Sequence, residues 1–151
     1  MANVFAKLNL KDQKQIVVLG APASFEKELS ALKGIEVIRD LKKAKAVVFA
    51  LAFVTRQDQV DSVAPAIARK AEGDAIVWFA YPKGSSKNYK SEIARDNGWT
   101  VLGREGFEPV RMVAIDEDWS AIRFRRAAFI KNMKRAPEHR LTERAKPARA
   151  R

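Results

Sequence analysis

Short β-branched runs and amphipathic stripes succeed one another along this chain. The run QIVVLG, Gln15 to Gly20, has the pattern of a buried strand closed by a glycine turn. Beyond Pro22, Ser24 is placed to cap a helix. Phe25, Leu29 and Leu32 then recur at helical spacing until Gly34 ends the segment. Ile35 to Ile38 alternates as a short strand. Ala46 to Val54, AVVFALAFV, is nearly continuous in apolar residues, as a strand covered on both faces would be. Thr55 and Asp58 resemble a capping box, and Val60, Val63, Ile67 and Ala71 repeat at helical spacing, with Pro65 inside the segment. Gly73 closes this helix, and Asp74 to Ala80 reads as the next strand.

The later pattern predicts a short helix over Ser91 to Asn97, ended by Gly98, and a strand-like WTVLG from Trp99 to Gly103. VRMVAI (Val110 to Ile115), the acidic turn DED and WSAIRFR (Trp119 to Arg125) form a hairpin pattern. A last amphipathic stretch, RAAFIKNMKR, presents Phe129, Ile130 and Met133 on one side. This order predicts a small Rossmann-like, three-layer α/β domain with a mostly parallel sheet and a C-terminal antiparallel hairpin. An α+β sandwich is the alternative, should the early strands pair antiparallel.

Composition narrows the picture. At 151 residues and 47% hydrophobic content, one domain can bury a real core, and the absence of cysteine excludes disulfides and thiolate chemistry. The only histidine, His139, lies near the carboxyl end, which takes the commonest general base and metal ligand out of the expected domain. No metal site is expected. The amino end lacks a signal-peptide pattern, and the longest apolar run is half of what a bilayer requires, so the expectation is a cytoplasmic protein with no membrane partner.

The formal charge is +11, of which residues 131–151 carry more than half. That segment is rich in Arg, Lys, Ala and Pro. The expected organisation is therefore one domain over residues 1–135 and a basic, disordered tail over 136–151. Such a tail suits nucleic acid through salt-sensitive phosphate attraction, or serves only to keep the chain soluble.

Candidate chemistry is sought beyond the carboxyl ends of the strands, where open parallel sheets bind ligands. Two loops qualify: Gly20 to Ser24, GAPAS, and Tyr81 to Lys90, YPKGSSKNYK. In the second, Pro82 fixes φ and Gly84 permits a positive one. The backbone of Gly84, Ser85 and Ser86 is then expected to converge on an anion, with charge from Lys83 and Lys87. The plain alternative is a solvated turn. Neither loop carries a sharp nucleotide fingerprint: LGAPASF lacks Gly-x-Gly-x-x-Gly and KGSSK lacks P-loop spacing, which counts against a dinucleotide or ATP enzyme, and the first turn's one glycine with no acidic residue ahead of it weakens a methyltransferase reading. The cofactor is left unknown.

Asp116, Glu117 and Asp118 read as an acidic turn rather than a calcium loop, and Trp119 reads as a buried anchor. Ser120 and Arg123 are candidates to join the anion site, although strand geometry puts them on opposite faces. Arg95 and Asp96 are placed for a polar rim near the lysine loop. Arg125, Arg126, Lys131, Lys134 and Arg135 form either a basic helix for phosphate or an ordinary surface helix.

The segments YPKGSSKNYKSEIARDNGW and GFEPVRMVAIDEDWSAIRFR resemble a family of small bacterial proteins known only as a domain of unknown function. The resemblance spans roughly Ile16 to Lys134 and is strongest at Tyr81-Pro82-Lys83 and Asp118-Trp119-Ser120. It implies a bacterial, soluble, single-domain α/β protein and supplies no activity, cofactor or catalytic residue. The sequence thus leads to a binding module for a phosphate- or carboxylate-bearing ligand at Tyr81 to Lys90. The alternatives are a nucleic-acid accessory protein acting through the basic helix and tail, and an enzyme using Lys83 or Ser85.

Overall fold

The computed structural model describes residues 4–130. A six-stranded sheet runs in the order β2-β1-β3-β4-β6-β5. The strands are β1 (Gln15–Leu19), β2 (Glu36–Ile38), β3 (Val47–Phe53), β4 (Ala71–Pro82), β5 (Phe107–Ala114) and β6 (Trp119–Arg126). The first four pair in parallel, and β6 and then β5 add antiparallel. The early strands thereby decide for the Rossmann-like α/β arrangement and against the sandwich.

Period-two alternation divides the strands' side chains between two faces. On one face Val17, Ala50, Val77, Phe79 and Phe124 pack against Val60, Ala64 and Ile67 of helix α3 (Gln57–Lys70) and Leu102 of α4 (Thr100–Arg104). On the other, Ile16, Phe49, Leu51 and Trp78 meet Val4 and Phe5 of α1 (Val4–Lys7) and Leu29 of α2 (Glu26–Ser30). Because both faces are covered, β3 reads almost wholly apolar. Trp78 is fully buried, and its indole N–H donates to the Leu8 carbonyl at 2.8 Å, which fixes the end of α1 to the sheet.

Several local expectations are corrected. A 3₁₀ turn, Ala23–Phe25, precedes α2, and Ser24 makes no cap, since Pro22 occupies the cap position. At α3 the reciprocal acceptor is Gln59 rather than Asp58: its Oε1 accepts from Thr55 N at 2.7 Å and Arg56 N at 3.0 Å. Ser91 to Asn97 is a loop, because the Ser91 hydroxyl accepts from Ile93 N at 2.9 Å and Ala94 and Asn97 bridge across the Arg95-Asp96 tip. WTVLG supplies α4 instead of a strand; a short apolar run has no period to separate the two, and Leu102 buried against α3 decides. Arg125 and Arg126 lie on β6 rather than on a helix, followed by a single 3₁₀ turn at Ala127–Phe129.

Candidate functional site

Parallel pairing brings the carboxyl ends of β2, β1, β3 and β4 to one edge. Two clefts open there. The larger, of about 820 Å³, lies beyond β4 and is lined by Tyr81, Lys83, Gly84, Ser86, Tyr89, Lys90, Arg95 and Ser120 among others. The smaller, of about 340 Å³, lies beyond β1 and β3, between Gly20, Phe53 and the first turns of α3, where Arg56, Asp58 and Ser62 face it. The sheet's order reverses between β1 and β3, since β2 lies on one side of β1 and β3 on the other. That is the position where open α/β sheets accept ligands.

The floor of the larger cleft is built by β4 and β6, whose register sets Tyr81 opposite Ser120 and Pro82 opposite Trp119. The Tyr81 hydroxyl donates to Met112 Sδ at 3.2 Å. Burial pushes the Tyr81 phenol above its ordinary value, with the nearby Arg95 pulling the other way. The outer wall is tied to α3: Gln57 N donates to Glu92 Oε1 at 2.9 Å, Glu92 N donates to Thr55 O at 2.9 Å, and Gln57 Nε2 donates to Gly98 O at 2.9 Å. The segment that follows the lysine loop is therefore fixed to the same helix that borders the smaller cleft.

The loop's own hydrogen bonds correct the anion cradle. Ser86 Oγ donates to Asp118 Oδ1 at 2.8 Å and accepts from Tyr89 N at 3.1 Å. Ser86 N donates to Lys83 O, and Lys83 N to Asp118 O. Asn88 Nδ2 donates to Asp118 Oδ2 at 3.2 Å. The Asp118 carboxylate takes the Ser86 hydroxyl, the Lys83 carbonyl takes Ser86 N, and the charge of Asp118 opposes an anion there. Gly84 does not adopt the positive φ expected of it. Ser85 and Lys87 are exposed and stand outside the cleft lining, whereas Lys83, Gly84, Ser86 and Ser120 belong to it.

Arg123 lies apart from the cleft, on the opposite face from Ser120 and in register with Trp78. Arg125 grips Asp74 with two nitrogens, at 2.9 and 2.6 Å, and the pairing raises its pKa. Arg126 donates to the carbonyls of Ala68 and Ala71 at the end of α3 and lies over the Phe107 ring at 4.9 Å. Both are thus committed within the fold, which removes them from the expected basic helix. Lys131, Lys134 and Arg135, the 135/136 boundary and the tail lie outside the described residues. The acidic turn is an internal one, since Asp116 Oδ1 accepts from Asp118 N and Trp119 N.

The smaller cleft is less legible in the sequence than the lysine-rich loop. Arg56 and Ser62 carry no local signal. Asp40, just past β2, was readable only as an acid about twenty residues beyond the first strand's glycine. Its Oδ1 accepts from Lys42 N at 3.0 Å in a 3₁₀ turn. Among the described residues no helix is long and apolar enough to cross a membrane.

No family model matches the chain, and no curated protein matches it. Solved structures do. A SAM-dependent methyltransferase from Aquifex aeolicus is similar at TM-score 0.54 and 16% identity, over 82% of this chain and 88% of that one. The N-methyltransferase NodS from Bradyrhizobium japonicum is similar at 0.50 and 12%, over 80% and 91%. Magnesium protoporphyrin IX methyltransferase from Synechocystis, with bound SAM, is similar at 0.51 and 10%, over 82% and 74%. At these identities the likeness establishes the fold. It also overturns the expectation of a ligand-binding module centred on Tyr81 to Lys90, because the architecture is one that methyltransferases use. The turn after β1, with one glycine and no acidic residue ahead of it, does not show this in the sequence.

Proposed function

We propose that this chain binds S-adenosylmethionine (SAM) at the carboxyl ends of β1, β2 and β3 and acts as a methyltransferase on an acceptor seated in the neighbouring cleft beyond β4. The reading is carried by the position of the smaller cleft: it lies where the strand order reverses, with Gly20 in its lining at φ +68°. The family resemblance is strongest at Tyr81 to Lys83 and Asp118 to Ser120. These segments meet across β4 and β6 at the acceptor cleft, so the proposal extends to that family.

The chemistry of the residues suits the cofactor at its two polar ends. Arg56 would receive a carboxylate; the Arg56–Asp58 pair is solvent-exposed and easily exchanged for such a partner. Asp40, beyond β2, would accept from a ribose diol. Gly20 serves the tight turn, while Pro22 offers no N–H, so the turn itself contributes shape more than donors. When bound, SAM supplies an electrophilic methyl group. On the acceptor side Ser120 and Lys83 are placed to orient a substrate. The buried Tyr81 phenol keeps its proton, so it positions rather than deprotonates.

Calorimetric titration with S-adenosylhomocysteine tests the reading. Binding should be saturable, and Arg56→Ala and Asp40→Asn should each weaken it about tenfold, or about 1.4 kcal/mol. A chain that is folded by circular dichroism yet takes up none at about 1 mM, the weakest useful affinity, would overturn the proposal.

A further inference from the structure

The face of the hairpin opposite the acceptor cleft carries a feature that methyl transfer does not use. Arg111 on β5 and Arg123 on β6 are direct cross-strand partners, and Arg125 follows two residues along on the same face. Like charges directly opposite each other in a sheet repel. The acids on this face are Asp74, already gripped by Arg125 from two nitrogens, and Glu108, fully buried and in register with Arg125 rather than with Arg123. Among the described residues Arg111 donates to the Asn9 side-chain oxygen, at 3.3 Å.

Arg123 itself is the exception among the arginines of this hairpin. Its Nε is buried without a hydrogen-bond partner among the described residues. A buried donor left unmatched is costly, and native structures rarely keep one without a use for it. Burial lowers the Arg123 pKa, and Arg125 and Arg111 add to that effect while Asp74 opposes it. A negative charge placed between Arg111 and Arg123 would offset the repulsion from Arg111 and Arg125.

We infer that Arg123, with Arg111 across the strand pair, forms a binding site for a tetrahedral oxyanion of the phosphate class on the α1-covered face of the sheet, separate from both clefts. A guanidinium presents a planar fork of donors that matches phosphate oxygens, and two such forks from adjacent strands approach one anion from two sides. Asn9, at the end of the α1 segment, has φ +63° and is the one non-glycine with positive φ among the described residues. Its contact with Arg111 ties the amino-terminal segment to the rim of the site. The site is independent of the SAM reading: it uses none of the same residues.

Thermal denaturation of the full chain, titrated with inorganic phosphate and with sodium chloride at matched ionic strength, tests the inference. Phosphate should raise the midpoint saturably by about 5 °C where chloride does not. Arg123→Met should abolish the phosphate increment while leaving S-adenosylhomocysteine binding unchanged. Arg111→Gln should reduce the increment, and it decides the matter alone if Arg123→Met fails to fold. Both variants retain the basic carboxyl end, so loss of the increment cannot come from that segment. Glycerol phosphate in place of inorganic phosphate distinguishes an esterified ligand from the free ion: stronger stabilisation assigns the site to a phosphomonoester, equal or weaker to free phosphate. An increment that chloride reproduces, or that persists in either arginine variant at full size, overturns the site.

Discussion

Single residues at the carboxyl edge show how position converts ordinary side chains into constraints. Gly20 has φ +68°, and a Cβ there would stand 2.8 Å from the Phe53 carbonyl oxygen, so the turn after β1 is pressed onto the end of β3. Gly34 has a similar φ of +71° with nothing near it. Gly20→Ala should therefore lose about 3 kcal/mol, strain and clash together, and Gly34→Ala only about 1 kcal/mol from strain. Urea denaturation of the two variants measures the difference, and equal losses would refute the close approach. In sequence, Ser86 has glycine and lysines as its neighbours. Its real partner, Asp118, lies 32 residues away and inverts the expected charge of the loop. Nothing in YPKGSSKNYK announces that carboxylate, because hydrogen bonds between distant segments leave no local periodicity.

At the scale of elements, α3 carries the most responsibility. Its first turn borders the smaller cleft, and its cap ties down the entry from β3 through Gln59. Its last turn is held by Arg126, and its first residue, Gln57, is bonded to the outer wall of the larger cleft. Replacing Gln59 by Leu leaves Thr55 N and Arg56 N without their acceptor and should destabilise the protein by about 1 to 2 kcal/mol, whereas Gln59→Glu should cost little. Chemical denaturation reads both, and a harmless Gln59→Leu would show that water replaces the cap. The helical stripe of α3 was plain in the sequence because it runs for four turns. The short helix over Thr100–Arg104 was not. Five residues cannot display a period, so WTVLG took its conformation from Leu102 and Trp99 packing against the sheet and α3.

For the whole molecule, the sheet sets both stability and function. β3 and β4 are central, buried on both faces, and joined to neighbours along both edges. Hydrogen exchange should find their amides the slowest in the chain, with residues 84–98 and the three-residue β2 among the fastest. Faster exchange in β3 than in β2 would contradict this hierarchy. Two clefts side by side on one edge, and an arginine pair on the far face, follow from the same strand order. The sequence by itself determined the alternation of strands and helices, the buried centre at β3, the terminal hairpin and the α/β class, because these depend on periodicity and turn residues that act locally. Only the tertiary structure decided which cleft stands at the reversal of strand order and that Asp118 occupies the lysine loop. It alone set Arg125 on Asp74 and left Arg123 facing Arg111. Those outcomes depend on register between segments far apart in the chain, and register is set by packing the whole sheet rather than by any stretch within it.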